Sequence, residues 1–158
     1  MWRSLLLGVV AGLRSQTPTA VLTWAWRSDR LPHGRRGPAV LLDRPALVPL
    51  AVTAALGELV VDKLPATPSR LDPGPLGGRL VLGAVAGWAI ADAHGRSGAA
   101  GAAAGAAGAG LGSWGGARYR SAATDRTDVA DAVWALAEDA AAIGLGLLAV
   151  RGRPPGLG

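Results

Sequence analysis

Hydrophobic positions along the chain fall into five runs separated by polar, proline-rich or arginine-rich stretches. The first run, 4–26, is interrupted at its middle by Arg14, Ser15, Gln16, Thr17 and Pro18. The second, 46–64, carries Glu58, Asp62 and Lys63 in its latter half. The third, 79–93, has twelve clean residues, Leu80 to Ala91, bounded by Arg79 and Asp92. The fourth, 97–117, has no charge, and the fifth, 129–150, contains Asp131, Glu138 and Asp139. A helix needs about 20 mainly apolar residues to cross a bilayer. The fourth run alone meets that length cleanly, and its Ala and Gly contribute little to insertion. The pattern predicts an all-α fold, a polytopic transmembrane helix bundle of four or five spans, with the first span broken. A single domain would cover 1–150, followed by a disordered Pro/Gly tail at 151–158. The competing reading of the pattern is an Ala-rich soluble bundle.

The stretches between the runs support loops. Arg27 to Pro45 holds five arginines with several Pro and Gly, and Pro65 to Gly78 holds four prolines, at 65, 68, 73 and 75. Proline fixes φ and cannot continue a helix, so this second stretch is expected to end the second run and trace a rigid path to the third. In the first run, Pro18 cannot donate to the carbonyl of Arg14, so Ser15, Gln16, Thr17 and Pro18 read as a helix break. Such a break marks either a kinked helix or, as in transporters, a binding site.

Composition sharpens the membrane reading. Of 158 residues 50% are hydrophobic and 17% charged, with mean hydropathy +0.30, 24 glycines, 6 tryptophans and no phenylalanine. Small residues bury little area, but they let helices approach closely in lipid. The 15 arginines against one lysine point to a GC-rich genome, which also inflates Ala and Gly, so the position of the glycines must carry the argument. In the fourth run that position is regular. Gly98, Gly101, Gly105, Gly108, Gly112 and Gly115 are spaced 3, 4, 3, 4 and 3 apart, which draws one seam along a helix. The seam is expected to be a packing face, within the protein or between copies in a homo-oligomer. A glycine-lined path for a solute is the other reading.

The net charge of +5 does not imply nucleic acid, because the arginines lie in the gaps between runs rather than in a stripe with aromatics. The absence of cysteine excludes disulfides and thiolate chemistry, and His33 and His94 do not suffice for a histidine metal site. The N-terminal run lacks a small-residue cleavage site and is broken by Arg14, so it reads as retained. If all five runs cross, basic residues divide almost evenly between the two sides, and the dense first loop tips the orientation slightly towards an outside N-terminus.

Charges at membrane depth are the candidate chemistry, since each costs on the order of 3 kcal/mol on insertion scales. Glu58 and Asp62 share one helical face, with Lys63 next to Asp62, while Glu138 and Asp139 lie about 100° apart on another helix. Arg14 would neutralise Glu58 or Glu138. Clustered acids can bind a cation or relay protons, and they can equally be salt bridges that hold the bundle together. No nucleophile sits beside a base, so an enzyme is not expected, nor is a cofactor. A weak internal echo pairs Gly8, Gly12 and Arg14 with Gly112, Gly116 and Arg118. It also pairs Glu58 with Glu138, which would make the chain an inverted repeat.

At these residues the chain resembles a bacterial membrane-protein family known only as domain of unknown function 4126. The resemblance rests on Gly12-Leu13-Arg14-Ser15 with Pro18, and above all on Leu56-Gly57-Glu58-Leu59-Val60-Val61-Asp62-Lys63-Leu64-Pro65 continuing through Arg70 to Arg79 and Gly83. It closes on Leu136-Ala137-Glu138-Asp139-Ala140. It implies a helical protein of the bacterial cytoplasmic membrane and no particular activity. It also implies that Arg14, Glu58, Asp62, Lys63, Arg70, Arg79, Glu138 and Asp139 act together. The expectation is a multi-pass protein whose partners are the lipid bilayer and further copies of itself. Its function would be that of a small ion or solute transporter or channel using intramembrane acids. The alternative is a structural or interaction protein in which those charges are salt bridges.

Overall fold

The computed structural model describes residues 1–32, 36–61, 71–124 and 131–151, and every regular element among them is an α-helix. In chain order these are α1 (Trp2–Leu13), α2 (Thr17–Arg27), α3 (Pro38–Leu42), α4 (Leu47–Val61), α5 (Pro73–Ala93), α6 (Gly98–Thr124) and α7 (Asp131–Ala149). Among them, α5 is long and apolar enough to cross a membrane, with 21 residues, while α1 and residues 47–58 of α4 are shorter apolar helices.

The break in the first run is a reversal of the chain. Arg14 is extended, at φ −140° and ψ 108°, and its amide closes α1 on the carbonyl of Val10. Arg3, near the start of α1, donates to the carbonyl of Ala149 at the end of α7, whereas Arg14 meets Asp139 ten residues earlier. Thus α1 runs antiparallel to α7. From Arg14 onward the direction flips, because Val21 of α2 lies over Gly146. The two short helices are arms of a hairpin with its tip at residues 14–16. The starts of α1 and α6 and the ends of α2, α5 and α7 therefore share one end of the bundle, the near end. Pro18 starts α2, where its missing N–H and fixed φ suit the first helical turn.

Glycine sets the core of the bundle. α6 is wedged between α5 and α1, and the helix backbones touch with no side chain between them. A Cβ at Gly105 would fall on the carbonyl oxygen of Gly83, and one at Gly101 on that of Gly87. One helical turn further on, Cβ atoms at Gly108 and Gly112 would collide with the carbonyls of Leu5 and Val9 in α1. Gly8 and Gly12 return the contact, facing the backbone at Gly105 and at Ala109–Ser113. Larger side chains gather towards the near end, where Leu7, Leu22, Trp26, Ile90 and Val150 are buried.

Several expectations are corrected. The run 4–26 is a hairpin and not one span. The proline-rich stretch ends sooner than Gly78, because α5 begins at Pro73 with Asp72 as its N-cap, so prolines that seemed to prolong the loop start the helix. The fourth run extends from 117 to Thr124, and the first loop contains α3. The glycine seam is shorter than its spacing, since Gly98 faces the ring of Trp88 and Gly115 meets nothing within 4 Å. The echo between Arg14 and Arg118 does not extend to structure: the chain breaks at the first, and α6 continues as helix through the second. Of the expected tail, 151–158, all but Arg151 lies outside the described residues, as do Asp62, Lys63 and Arg70.

Candidate functional site

The tip of the hairpin collects the buried charges. Arg14 is 1% exposed, and its Nε and Nη2 both reach Oδ1 of Asp139 at 2.5 Å. Asp139 and the neighbouring Glu138 are themselves buried on α7. Asp139 lies about 12 Å along α7 from its start and about 15 Å from its end, taking 1.5 Å per residue, so the pair sits near mid-height in the bundle. The expected partners of Arg14 were Glu58 or Glu138. The structure pairs it with Asp139, because α7 turns that face to the hairpin.

Glu58 has a different task. It projects from α4 onto the start of α2, where the first amides of a helix lack partners. One carboxylate oxygen accepts from the Ser15 amide at 2.7 Å and the Ser15 hydroxyl at 2.6 Å, and the other accepts from the Gln16 amide at 2.9 Å. Gln16, the N-cap of α2, makes no capping bond with its own side chain, so Glu58 supplies that function from another helix. Arg79, buried in the second turn of α5, brings Nη2 to 3.7 Å from the same carboxylate. Removing both acceptor oxygens in Glu58→Leu should destabilise the fold by about 3 kcal/mol. Amide hydrogen exchange at Ser15 and Gln16 should accelerate first, and unchanged protection there would rule out the capping role.

Two openings reach this cluster on either side of α7. A cleft of about 260 Å³ runs between α2, α4 and α7 to Arg14 and Asp139, with Trp24, Val52, Leu56 and Ile143 on its walls. A second, of about 360 Å³, is lined by Leu13, Gly115, Gly116, Tyr119 and Ala141, with Glu138 as its acid. Gly115, spare as a packing residue, therefore leaves room beside Glu138. Among the described residues no three acids or histidines converge as a metal site would require.

Of the expected site residues, the structure joins Arg14 to Asp139 in one ion pair and Ser15, Gln16, Glu58 and Arg79 in a second bonded set next to it along the chain, with Glu138 adjacent to Asp139 on α7. Thr17 and Pro18 belong to the first turn of α2 and are buried. Asp62 and Lys63 fall outside the described residues. A participant the sequence did not single out is Ser113, whose hydroxyl donates to the carbonyl of Gly12 at 3.4 Å. Its only sequence signal is a polar residue between two seam glycines. Comparisons of the chain with models of protein families, with curated proteins and with solved structures find no match.

Proposed function

We propose that the chain is a multi-pass protein of a bacterial cytoplasmic membrane, and that the hairpin tip is the ion-handling site of a small transporter or channel. The observation that supports the membrane part is an inverted distribution of polarity. Arg14, Arg79, Glu138 and Asp139 are buried, while Leu50, Val81, Leu111 and Leu136 are exposed on the outer faces of α4, α5, α6 and α7. Water would favour the reverse, whereas lipid accepts leucine outside and penalises lone charges. In that setting α1 and α2 form a re-entrant hairpin, and α4 to α7 are the four crossing helices. Non-helical backbone at membrane depth needs partners within the protein, and Glu58 provides them.

The hairpin also changes the reading of orientation. Entering and leaving at one side, it places Arg3 with the arginines of the first connection, Arg27, Arg30, Arg36 and Arg44, and with Arg96. The opposite end takes Lys63 and Arg70 from the connection at 62–72 and Arg118, Arg120 and Arg126 from the end of α6 and the connection to α7, which still leaves the near end the more basic. The near end, with the N-terminus, is then the cytoplasmic side, opposite to the slight preference for an outside N-terminus drawn from five spans.

The transport part is carried by charge. The buried or half-buried acids Glu58, Glu138 and Asp139 gather with Arg14 and Arg79 at the hairpin tip, a concentration of titratable groups at depth. A proton suits such a cluster better than a multivalent ion, because among the described residues the acids do not converge as ligands. Glu138, beside the larger opening, is the residue we assign to carry it. The test is flux in liposomes containing the purified protein. Wild type should pass protons or a small cation, and Glu138→Gln should abolish this while remaining folded and monodisperse.

A second reading has its own support, since Arg14 and Asp139 already form a closed, buried pair. On that reading the charges serve only to hold a non-transporting structural or interaction protein together. Absence of wild-type flux would leave this reading standing. A homo-oligomer would then have to form through exposed leucines such as Leu50, Leu111 and Leu136, because the seam from Gly101 to Gly112 is occupied within the protein.

A further inference from the structure

We propose that the near end carries a binding site for a phosphate group, built by Arg3, His94 and Arg96 and suited to the head group of an anionic phospholipid. A pocket of about 150 Å³ opens between the start of α1 and the turn from α5 to α6. It is lined by Trp2, Arg3, Ser4, Ile90, His94 and Arg96 among others, a polar set unlike the two apolar clefts at the hairpin tip. Two guanidinium groups reach it from different elements, and a phosphate offers the oxygens that such forked donors bind.

Each cation is held in place for this role. Arg3 spends one nitrogen on the carbonyl of Ala149 at 3.1 Å and packs 5.2 Å over the ring of Trp2, which fixes the side chain and leaves its other N–H groups for the pocket. Arg96 is placed by the turn, where Gly95 takes φ +66° and the Arg96 amide returns to the carbonyl of Ala91. Its side chain forms no ion pair among the described residues. His94 donates Nδ1–H to the carbonyl of Ile90 at 2.8 Å, so its Nε2 donates to a phosphate only in the protonated ring, the form that a bound anion favours.

The lining of the pocket holds no acid, and the nearby Asp92 directs its carboxylate to the amide of Arg36. Burial, and then the charges of Arg3 and Arg96, hold the His94 imidazole below its ordinary 6.5. An anion in the pocket would reverse that electrostatic effect. The first turn of α6, with Ser97 bonded to the amide of Ala100, points the positive end of its dipole at the same turn. Trp2, 56% exposed beside the pocket, has the amphipathic ring that sits at head-group level. The phosphate chemistry stands on these contacts alone. The lipid as its source rests on the membrane reading, so partition of the wild-type chain into the membrane fraction is scored first.

The full chain, purified in a zwitterionic detergent, is titrated with phosphatidylglycerol, with phosphatidylcholine and with inorganic phosphate. Native mass spectrometry reads retained lipid, and thermal protection reads phosphate. Wild type should prefer phosphatidylglycerol over phosphatidylcholine, and Arg3→Gln/Arg96→Gln should lower that preference by roughly tenfold or more. Arg96→Gln alone, which removes no internal bond, should show a partial loss and keeps the test valid if the double variant does not fold. Arg118→Gln, at the other end of the bundle, should change nothing. Protection by inorganic phosphate that depends on Arg96, with no lipid preference, would support the site but assign it to a free phosphate. Binding that is indifferent to Arg3 and Arg96, or equally sensitive to Arg118, would overturn the proposal.

Discussion

Replacing Arg14 by glutamine should destabilise the protein by about 3–5 kcal/mol, because Asp139 is left charged and buried without its partner. The double variant Arg14→Met/Asp139→Leu should recover most of that loss. It removes both charges and fills the same volume, and buried ion pairs are often replaceable by apolar residues at little net cost. The measurement is thermal or denaturant unfolding of the three proteins in one detergent. The comparison separates two roles for the pair. Recovery in the double variant means the charges matter to stability only through each other. A double variant as unstable as the single one would show that Arg14 acts through bonds other than those to Asp139. On the proposed transport function, loss of flux in the recovered double variant would place the pair in the conducting site.

The second large effect concerns the contact of α6 with α5 and α1. Gly105→Val should prevent assembly of the native bundle. The added atoms would occupy the position of the Gly83 carbonyl, and the backbone of Gly8 approaches from the other side. Neither obstacle is a side chain that can rotate away. Gly115→Ala, ten residues along the same helix, meets nothing within 4 Å and should be neutral or stabilising by up to about 1 kcal/mol through helix propensity. Yield of monodisperse protein and helix content would check both. A folded Gly105→Val variant would refute the close backbone contact between α6 and α5.

How much of this was legible in the residues depends on the kind of signal. The break after Leu13 could be read, because Pro18 removes a donor wherever the helix goes. Its sharpness could not, since a kink and a reversal share that signal. The turn is completed by carboxylates from α4 and α7, and the second lies more than a hundred residues away. The seam on α6 was legible as a regularity, yet its partners were not. The spacing keeps all four glycines within about 60° of one face, so it does not say that Gly101 and Gly105 meet α5 while Gly108 and Gly112 meet α1, which depends on where the two neighbours cross α6.

The charges follow the same division. That Arg14, Glu58 and the acids of α7 would be buried followed from the expectation that they lie at membrane depth, where a lone charge is costly. Which acid met the arginine did not, because Glu138 and Asp139 are adjacent in sequence and differ only in rotation about the axis. Pro73 shows a bias of the reading itself. Four prolines between residues 65 and 75 argue for coil, although proline is also favoured in the first turn of a helix.

The separation of 125 residues between Arg14 and Asp139 has a consequence for biogenesis. Synthesis proceeds from the N-terminus, so the hairpin emerges from the ribosome long before the helix that completes its tip. Until α7 is made, Arg14 has no Asp139 to meet, and the tip of the hairpin lacks the partner that holds it. The earliest part of the chain is therefore among the last to settle. A chain truncated before residue 131 should expose its opening segment to proteases that the full-length protein resists.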